Sequence, residues 1–330
     1  MLFKNANLFV DGQFQHGSFR VENGKFTEIL NAVPTEDGVD LENQYVIPGL
    51  IDVHNHGNSG ADFSDGDYDG LVKMARYLAQ NGVTGFAPAS MTLPYDVLET
   101  AYRTAVRLKR EQPSGCARLL GIRMEGPFFS EKKKGAQNGA YLKDPDFDAF
   151  KKLYDASEGL IRIADVAAEL PGAVEFTKLA SKLCTVSIAH TDCTYEEASA
   201  VFDAGASHLT HLYNAMPGIH HRKPGPIGAA LSARMSSPSS SATASTPTRA
   251  RCAWRSSCFR DASASFPTRC AAAGCRMGST PSAGRTCSYQ AVWRSWRTAH
   301  SRAPRRISMI VCARRSNLAF RKRKPFSPRR

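Results

Sequence analysis

The sequence predicts an α/β protein built on a parallel (β/α)8 barrel, truncated after about six strands. A small N-terminal β domain precedes the barrel and a disordered basic tail follows it. Three observations carry this expectation. From about residue 46 to 231, short apolar runs alternate with amphipathic helical stretches, the rhythm of a parallel sheet with helical crossovers. Histidines and a glutamate recur at the C-terminal ends of those runs, where barrels of this kind carry their sites. Composition then changes abruptly at Ser232, after which Ser, Ala, Thr, Pro and Arg dominate.

The elements follow in order. Residues 1–45 contain the alternating stretches NANLFVDG and GSFRVENGKFTEIL, with turns at Asp11-Gly12 and Asn23-Gly24. They read as a small antiparallel β unit. YVIPGLIDVHNHG reads as one buried strand. Helix DYDGLVKMARYLAQNG ends at Gly82, a helix stop. Strand VTGFAPAS, helix PYDVLETAYRTAVRLKRE, strand ARLLGIRMEGPFF and helix DPDFDAFKKLYDA come next. IRIADVAAE, a helix through FTKLASKL, strand TVSIAH, helix TYEEASAVFDAG and strand HLTHLYNAM complete the run. A closed barrel requires eight strands, more than this stretch supplies.

The net charge of +13 over 330 residues hides two opposite regions. Residues 1–231 hold 22 Lys and Arg against 29 Asp and Glu, a net of −7, whereas residues 232–330 hold 21 basic residues and one acid, Asp261, a net of +20. The acidic body excludes a specific nucleic-acid role for that region. No apolar run approaches the ~20 residues that span a bilayer. The opening MLFKNANLFVDG lacks the charged-then-apolar layout of a signal segment, and a cytoplasmic location is expected. Cys116, Cys184 and Cys193 in the body suit a reducing compartment. The later cysteines have no zinc-site spacing.

His54 and His56 end the first barrel strand as H-N-H. The two-residue period of a strand turns both imidazoles to the same side. Glu125 ends RMEGPFF, His190 ends TVSIAH, and His208 and His211 lie in HLTHLYNAM. A single histidine at a strand end is usually a hydrogen-bonded structural residue. Several, joined by a carboxylate, point to a hydrolytic metal site with an open position. Lys132, Lys133 and Lys134 read as a solvated loop, and the following Gly135-Ala136 suits close backbone approach to a ligand. Arg222 or Lys223, in a turn-rich segment after a strand end, suits a phosphate clamp.

Together, VIPGLIDVHNHG, RMEGPFFSEKKKGAQ, SIAHTDCTYEEA and THLYNAMPGIHHRKPG resemble the N-acetylglucosamine-6-phosphate deacetylase family of the amidohydrolase superfamily, over residues 1–231. The resemblance implies a TIM-like metal-dependent hydrolase fold and hydrolysis of the acetamide to glucosamine 6-phosphate and acetate. It implies that Glu125, His190 and His211 bind a divalent metal cation, zinc or iron. His54 and His56 would serve a second where the family uses one. Ala136, Asn214 and Ala215 would contact the sugar, Arg222 its phosphate, and the intact form would be a homodimer acting on a small sugar phosphate. The family's proton-shuttling aspartate in an S-D-A motif, and its D-G-x-H-x-H-P histidine, are both missing from this sequence. The resemblance therefore implies an inactive chain.

Regrouping the bases of back-translated codons by one fixed offset recovers both motifs. Residues 243–249 (TASTPTR) regroup to D-G-F-H-T-H-P, and 266–270 (FPTRC) to S-D-A-L. The tail's 19 Arg against two Lys also suits a GC-rich gene read out of frame. A frameshift between about 229 and 235 is expected. Two other readings stand beside this one. The first is another amidohydrolase, such as a cyclic-amide hydrolase or deaminase, with a modified lysine or a further His in place of Glu125. The second is a non-enzymatic chain whose basic tail, ending RKRKPFSPRR, binds nucleic acid.

Overall fold

A computed structural model of the protein describes residues 1–233 and four short strands beyond them, at 237–238, 279–282, 285–288 and 309–312. The regrouped motifs at 243–249 and 266–270, and most of the tail, lie outside the described residues.

Strands β1 (Leu2–Val10), β2 (Gln13–Glu22) and β3 (Lys25–Leu30) form an antiparallel meander. Its turns fall at Asp11-Gly12 and Asn23-Gly24, all four with positive φ, as hairpin turns of this type require. Strand β4 (Val39–Pro48) then crosses to the free edge of β1 and runs parallel to it. The small sheet is therefore mixed rather than wholly antiparallel. The connection after β3 returns the chain to the end where β1 begins, which dictates the direction of β4. Ala6, Leu8, Phe19, Leu41 and Val46 make a core of their own beneath it.

The run YVIPGLIDV, expected as one strand, is two. β4 ends at Pro48 in the small sheet, and β5 (Leu50–Asn55) opens the barrel. Gly49 between them passes so close to Thr84 that a Cβ would stand 2.1 Å from its Oγ1. After the hairpin β6 (Gly57–Asn58) and β7 (Ala61–Asp62), helices and parallel strands alternate: α1 (Tyr68–Gln80), β8 (Val83–Pro88), α2 (Tyr95–Glu111), β9 (Arg118–Leu119) and β10 (Ile122–Met124). Next come α3 (Phe147–Ala156), β11 (Ile161–Val166), α4 (Ala173–Ala180), β12 (Thr185–Ile188), α5 (Tyr195–Asp203), β13 (His208–Leu209) and α6 (Gly225–Ser232). ARLLGIRMEGPFF is thus broken at Leu120-Gly121, where a Cβ on Gly121 would lie 2.2 Å from Arg162 Cγ.

β5, β8 and β9 form one parallel sheet, and β10 to β13 a second in sequence order. A bridge between Ala89 and Arg123 joins them. Counting β9 and β10 as one interrupted strand, six barrel positions precede residue 231, and β14 (Ser237–Pro238) adds a further parallel pairing to β13. Among the described residues the sheet does not close. β15 (Ser279–Ser282) pairs with β16 (Arg285–Ser288), and β17 (Met309–Cys312) pairs with β4.

Helix starts follow side-chain chemistry. Asp67 caps α1 and Asp146 caps α3, and Thr194 with Glu197 forms a capping box at α5. Each satisfies amide groups that the first helical turn leaves unpaired. The turn-rich reading of NAMPGIHHRKPGPIG, residues 214–228, missed the start of α6. Pro224 and Pro226 sit at its start, where a missing N–H is tolerated. Leu78, Phe86, Tyr102, Phe150, Phe176, Val201 and Ile227 belong to one continuous core between helices and sheet. That core holds the C-terminal strand ends in a single arc.

Candidate metal centre

Glu125 follows β10 and is 1 % exposed. Four imidazoles turn their Nε2 atoms to its carboxylate. His54 and His56, from the end of β5 and just after it, meet Oε2, the first in a short contact and the second at 3.2 Å. His190 and His211, beyond β12 and β13, each stand 3.1 Å from Oε1. The two histidine pairs expected to serve separate ions thus share one carboxylate. His54, Glu125 and His211 offer ligand atoms all within 4.8 Å of one another. Ligands about 2.0–2.1 Å from a tetrahedral zinc stand roughly 3.3 Å apart, close to the 3.1–3.2 Å separations here.

Tautomers sharpen the case. His56 Nδ1 faces the Ala89 carbonyl at 3.0 Å and His190 Nδ1 the Lys133 carbonyl at 2.9 Å. A carbonyl only accepts, so both Nδ1 atoms carry the hydrogen. In a neutral ring Nε2 is then a bare lone pair, aimed at a carboxylate that also only accepts. A cation between them resolves the conflict, and a second hydrogen bond from the distal ring nitrogen is what metal-binding histidines use. His211 Nδ1 is buried without a hydrogen-bond partner. The donor set therefore fits a divalent cation.

Electrostatics agree. Burial opposes charge on Glu125, yet the surrounding imidazoles, His54 and His56 foremost, hold its carboxyl well below the usual range. Burial drives His54 well below the ordinary histidine value and lowers His211, against the pull of Glu125. At His56 burial works against the charged form as well, but Glu125 and Asp62 outweigh it and its pKa rises. A buried carboxylate kept ionised beside imidazoles such as His54 and His211, whose burial disfavours their charged form, is a receptor for positive charge.

The backbone is bent to make this arrangement. His190 and His211 adopt φ of 45° and 54°, left-handed values uncommon for a side-chain-bearing residue and frequent at functional sites. Gly126 has φ of 93°, and a Cβ there would lie 2.1 Å from Thr92 Oγ1. Only glycine lets the chain turn away immediately after Glu125.

His208 does not join the centre. Its Nδ1 pairs with Ser187 Oγ at 2.7 Å, and burial, reinforced by the charge of Arg123, holds its pKa well down. It belongs to a second buried network two residues down β10. There Arg123 Nε and Nη2 grip both oxygens of Asp165 at 2.8 Å, and Thr210 donates to Asp165 at 2.8 Å.

Of the other expected site residues, Ala136 is exposed in the loop after β10, beside buried Gln137. Asn214 and Ala215 are half-buried just beyond His211, with the Ala215 carbonyl accepting from Thr191 N–H at 3.1 Å. Arg222 is exposed, three residues before α6. Lys132 and Lys133 are not merely solvated, since both ammonium groups reach Asp192, at 3.3 and 3.4 Å. Gly135-Ala136 was expected to approach a ligand. A Cβ on Gly135 would stand 3.7 Å from His190 Cε1. Sequence reasoning passed over Gln137, Arg123 and Asp165. The only available signal was charge inside apolar strands, at Arg123 and Asp165.

A parallel barrel sheet whose strand ends gather one carboxylate and several imidazoles defines the class of metal-dependent barrel hydrolases. The model of the Amidohydrolase family matches residues 45–238, more than half of the chain, and the chain belongs to that family. It is 34 % identical over 239 residues to N-acetylglucosamine-6-phosphate deacetylase of Bacillus subtilis, covering 70 % of this chain and 60 % of that protein. It is 35 % identical over 228 residues to N-acetylgalactosamine-6-phosphate deacetylase of Escherichia coli O157:H7, covering 68 % and 59 %. The chain spans about half to three-fifths of the length of the curated relatives it matches. Among solved structures, N-acetylglucosamine-6-phosphate deacetylase from Pasteurella multocida superposes with a TM-score of 0.79 at 26 % identity, over 88 % of this chain and 77 % of that one. An aspartate-to-alanine mutant of the Mycobacterium smegmatis enzyme, in complex with N-acetyl-D-glucosamine-6-phosphate, superposes with a TM-score of 0.81 over 88 % and 76 %. At 24 % identity, that match speaks for the fold alone.

Proposed function

We propose that residues 46–231 are the greater part of an N-acetylglucosamine-6-phosphate deacetylase barrel, and that the polypeptide carrying this tail does not complete the reaction. One observation supports this above the rest. Glu125 stands among His54, His56, His190 and His211 at barrel strand ends, in a chain 34 % identical to a protein of that name. A divalent cation bound there, zinc or iron, would polarise the acetyl carbonyl and lower the pKa of water toward ~7.

The chain's own residues supply the rest. Glu125, His190 and His211 hold the principal ion, and His54 and His56 serve a second. Bonds from His56 and His190 to the Ala89 and Lys133 carbonyls keep their lone pairs turned inward. Ala136, Asn214 and Ala215 meet the sugar. The forked guanidinium of Arg222 suits a phosphate. Amide hydrolysis also needs a group that takes a proton from water and gives it to the leaving amine. The S-D-A aspartate that would serve does not occur in these 330 residues.

A frameshift near residues 229–235 accounts for that loss, for the jump from −7 to +20 in charge, and for the regrouped motifs together. The same reading makes the intact enzyme a cytoplasmic homodimer acting on a small sugar phosphate. The test has two parts. Sequencing codons 228 to 236 should reveal the shift, and an uninterrupted frame encoding these residues ends that part of the proposal. The frame-corrected gene product should release acetate from N-acetylglucosamine 6-phosphate, whereas the chain as given should not. The galactosamine epimer is the second substrate to assay, because a relative 35 % identical is named for it. Faster turnover of the epimer would reassign the substrate.

A further inference from the structure

Gln137 lies on the loop between β10 and α3, 2 % exposed. Its Oε1 accepts the Thr92 backbone N–H at 2.7 Å, and its Nε2 donates to Glu125 Oε1 at 3.2 Å. A backbone N–H can only donate, so the amide oxygen must face Thr92 and the NH2 must face Glu125. The oxygen it meets is the one that His190 and His211 approach at 3.1 Å. The amide is neutral and adds no charge to compete with the carboxylate.

The same loop orients a second ligand. The Lys133 carbonyl accepts from His190 Nδ1, Gly135 packs beside the ring, and Lys132 and Lys133 tie the loop to Asp192. We infer that Gln137 is a positioning residue that fixes Glu125 Oε1 toward the cation, within a loop that sets two ligands at once. The inference rests on the metal-centre reading above and assigns to a residue outside the ligand set a share of its affinity. Hydrogen bonds behind metal ligands typically govern 10–100-fold in affinity.

The test uses the full chain and Co2+ as the probe, read by visible d–d absorption and by titration. Circular dichroism of the metal-free protein is measured alongside. Gln137→Met keeps the volume and removes both hydrogen bonds. Gln137→Asn keeps the amide but is one methylene too short to span both partners. Both should bind Co2+ about 10–100-fold more weakly, with a shifted d–d spectrum and a metal-free protein that still shows the folded signal. Wild-type affinity and spectrum in either folded variant would overturn the inference. So would loss of the folded signal in both, which would assign Gln137 to the loop's folding instead. No Co2+ binding by the unsubstituted chain would overturn the metal centre itself, a result distinct from either.

Discussion

Two buried polar layers lie one above the other at the barrel strands, and they differ in charge balance, although Arg123 Nη1 in the lower one has no hydrogen-bond partner. The lower layer joins Arg123, Asp165, Ser187, Thr210 and His208 across β10 to β13. A full positive charge meets a full negative one in a two-point grip, and the neutral groups link to both. The upper layer has one carboxylate and four imidazoles, at least two with their hydrogens committed elsewhere. Its acceptors outnumber its donors. A polar cluster that neutralises itself is architecture, and one left short of positive charge is a binding site.

The sharpest way to break the comparison is to damage the lower layer. Asp165→Ala leaves a guanidinium 0 % exposed without its counterion. Denaturant unfolding should show a loss of about 3–5 kcal/mol. Replacing both partners, Arg123→Met with Asp165→Leu, should cost far less, because no uncompensated charge remains. Equal losses in the single and double variants would mean that the pair is not a closed unit.

The upper layer should respond in the opposite sense. A cation at 100 times its Kd should stabilise the chain by about 2.7 kcal/mol. That increment, read as a shift in the denaturation midpoint, should vanish in Glu125→Gln. Its survival there would place the cation elsewhere. The smallest effect belongs to a residue outside both layers. Thr194→Ala removes the capping box of α5 and should cost about 1 kcal/mol, with metal affinity unchanged. A change in affinity would show that the layers are not insulated from the outer helices.

Much of this was legible in the sequence because it is periodic or local. The two-residue strand period put His54 and His56 on one side. The helical stretch TYEEASAVFDAG contains α5. The strand-to-helix rhythm placed Glu125, His190 and His211 at one end of a sheet. What escaped depends on contacts between distant residues. Nothing near Arg123 announces a partner 42 residues away, or near Gln137 a backbone amide 45 residues away. The split at Gly49 follows from the approach of Thr84, and Pro224 and Pro226 read as breakers until their place at the first turn of α6 is known. The left-handed backbone of His190 and His211 is imposed by the site's assembly and leaves no mark in composition.

X-ray absorption at the metal edge of the zinc-loaded full chain tests the central claim most directly. Imidazole nitrogens with a carboxylate oxygen, all at about 2.0–2.2 Å, should surround the ion, and Glu125→Gln should lose that signature. An all-oxygen shell typical of a hydrated ion, or a spectrum indifferent to Glu125→Gln, would contradict a metal centre at these strand ends.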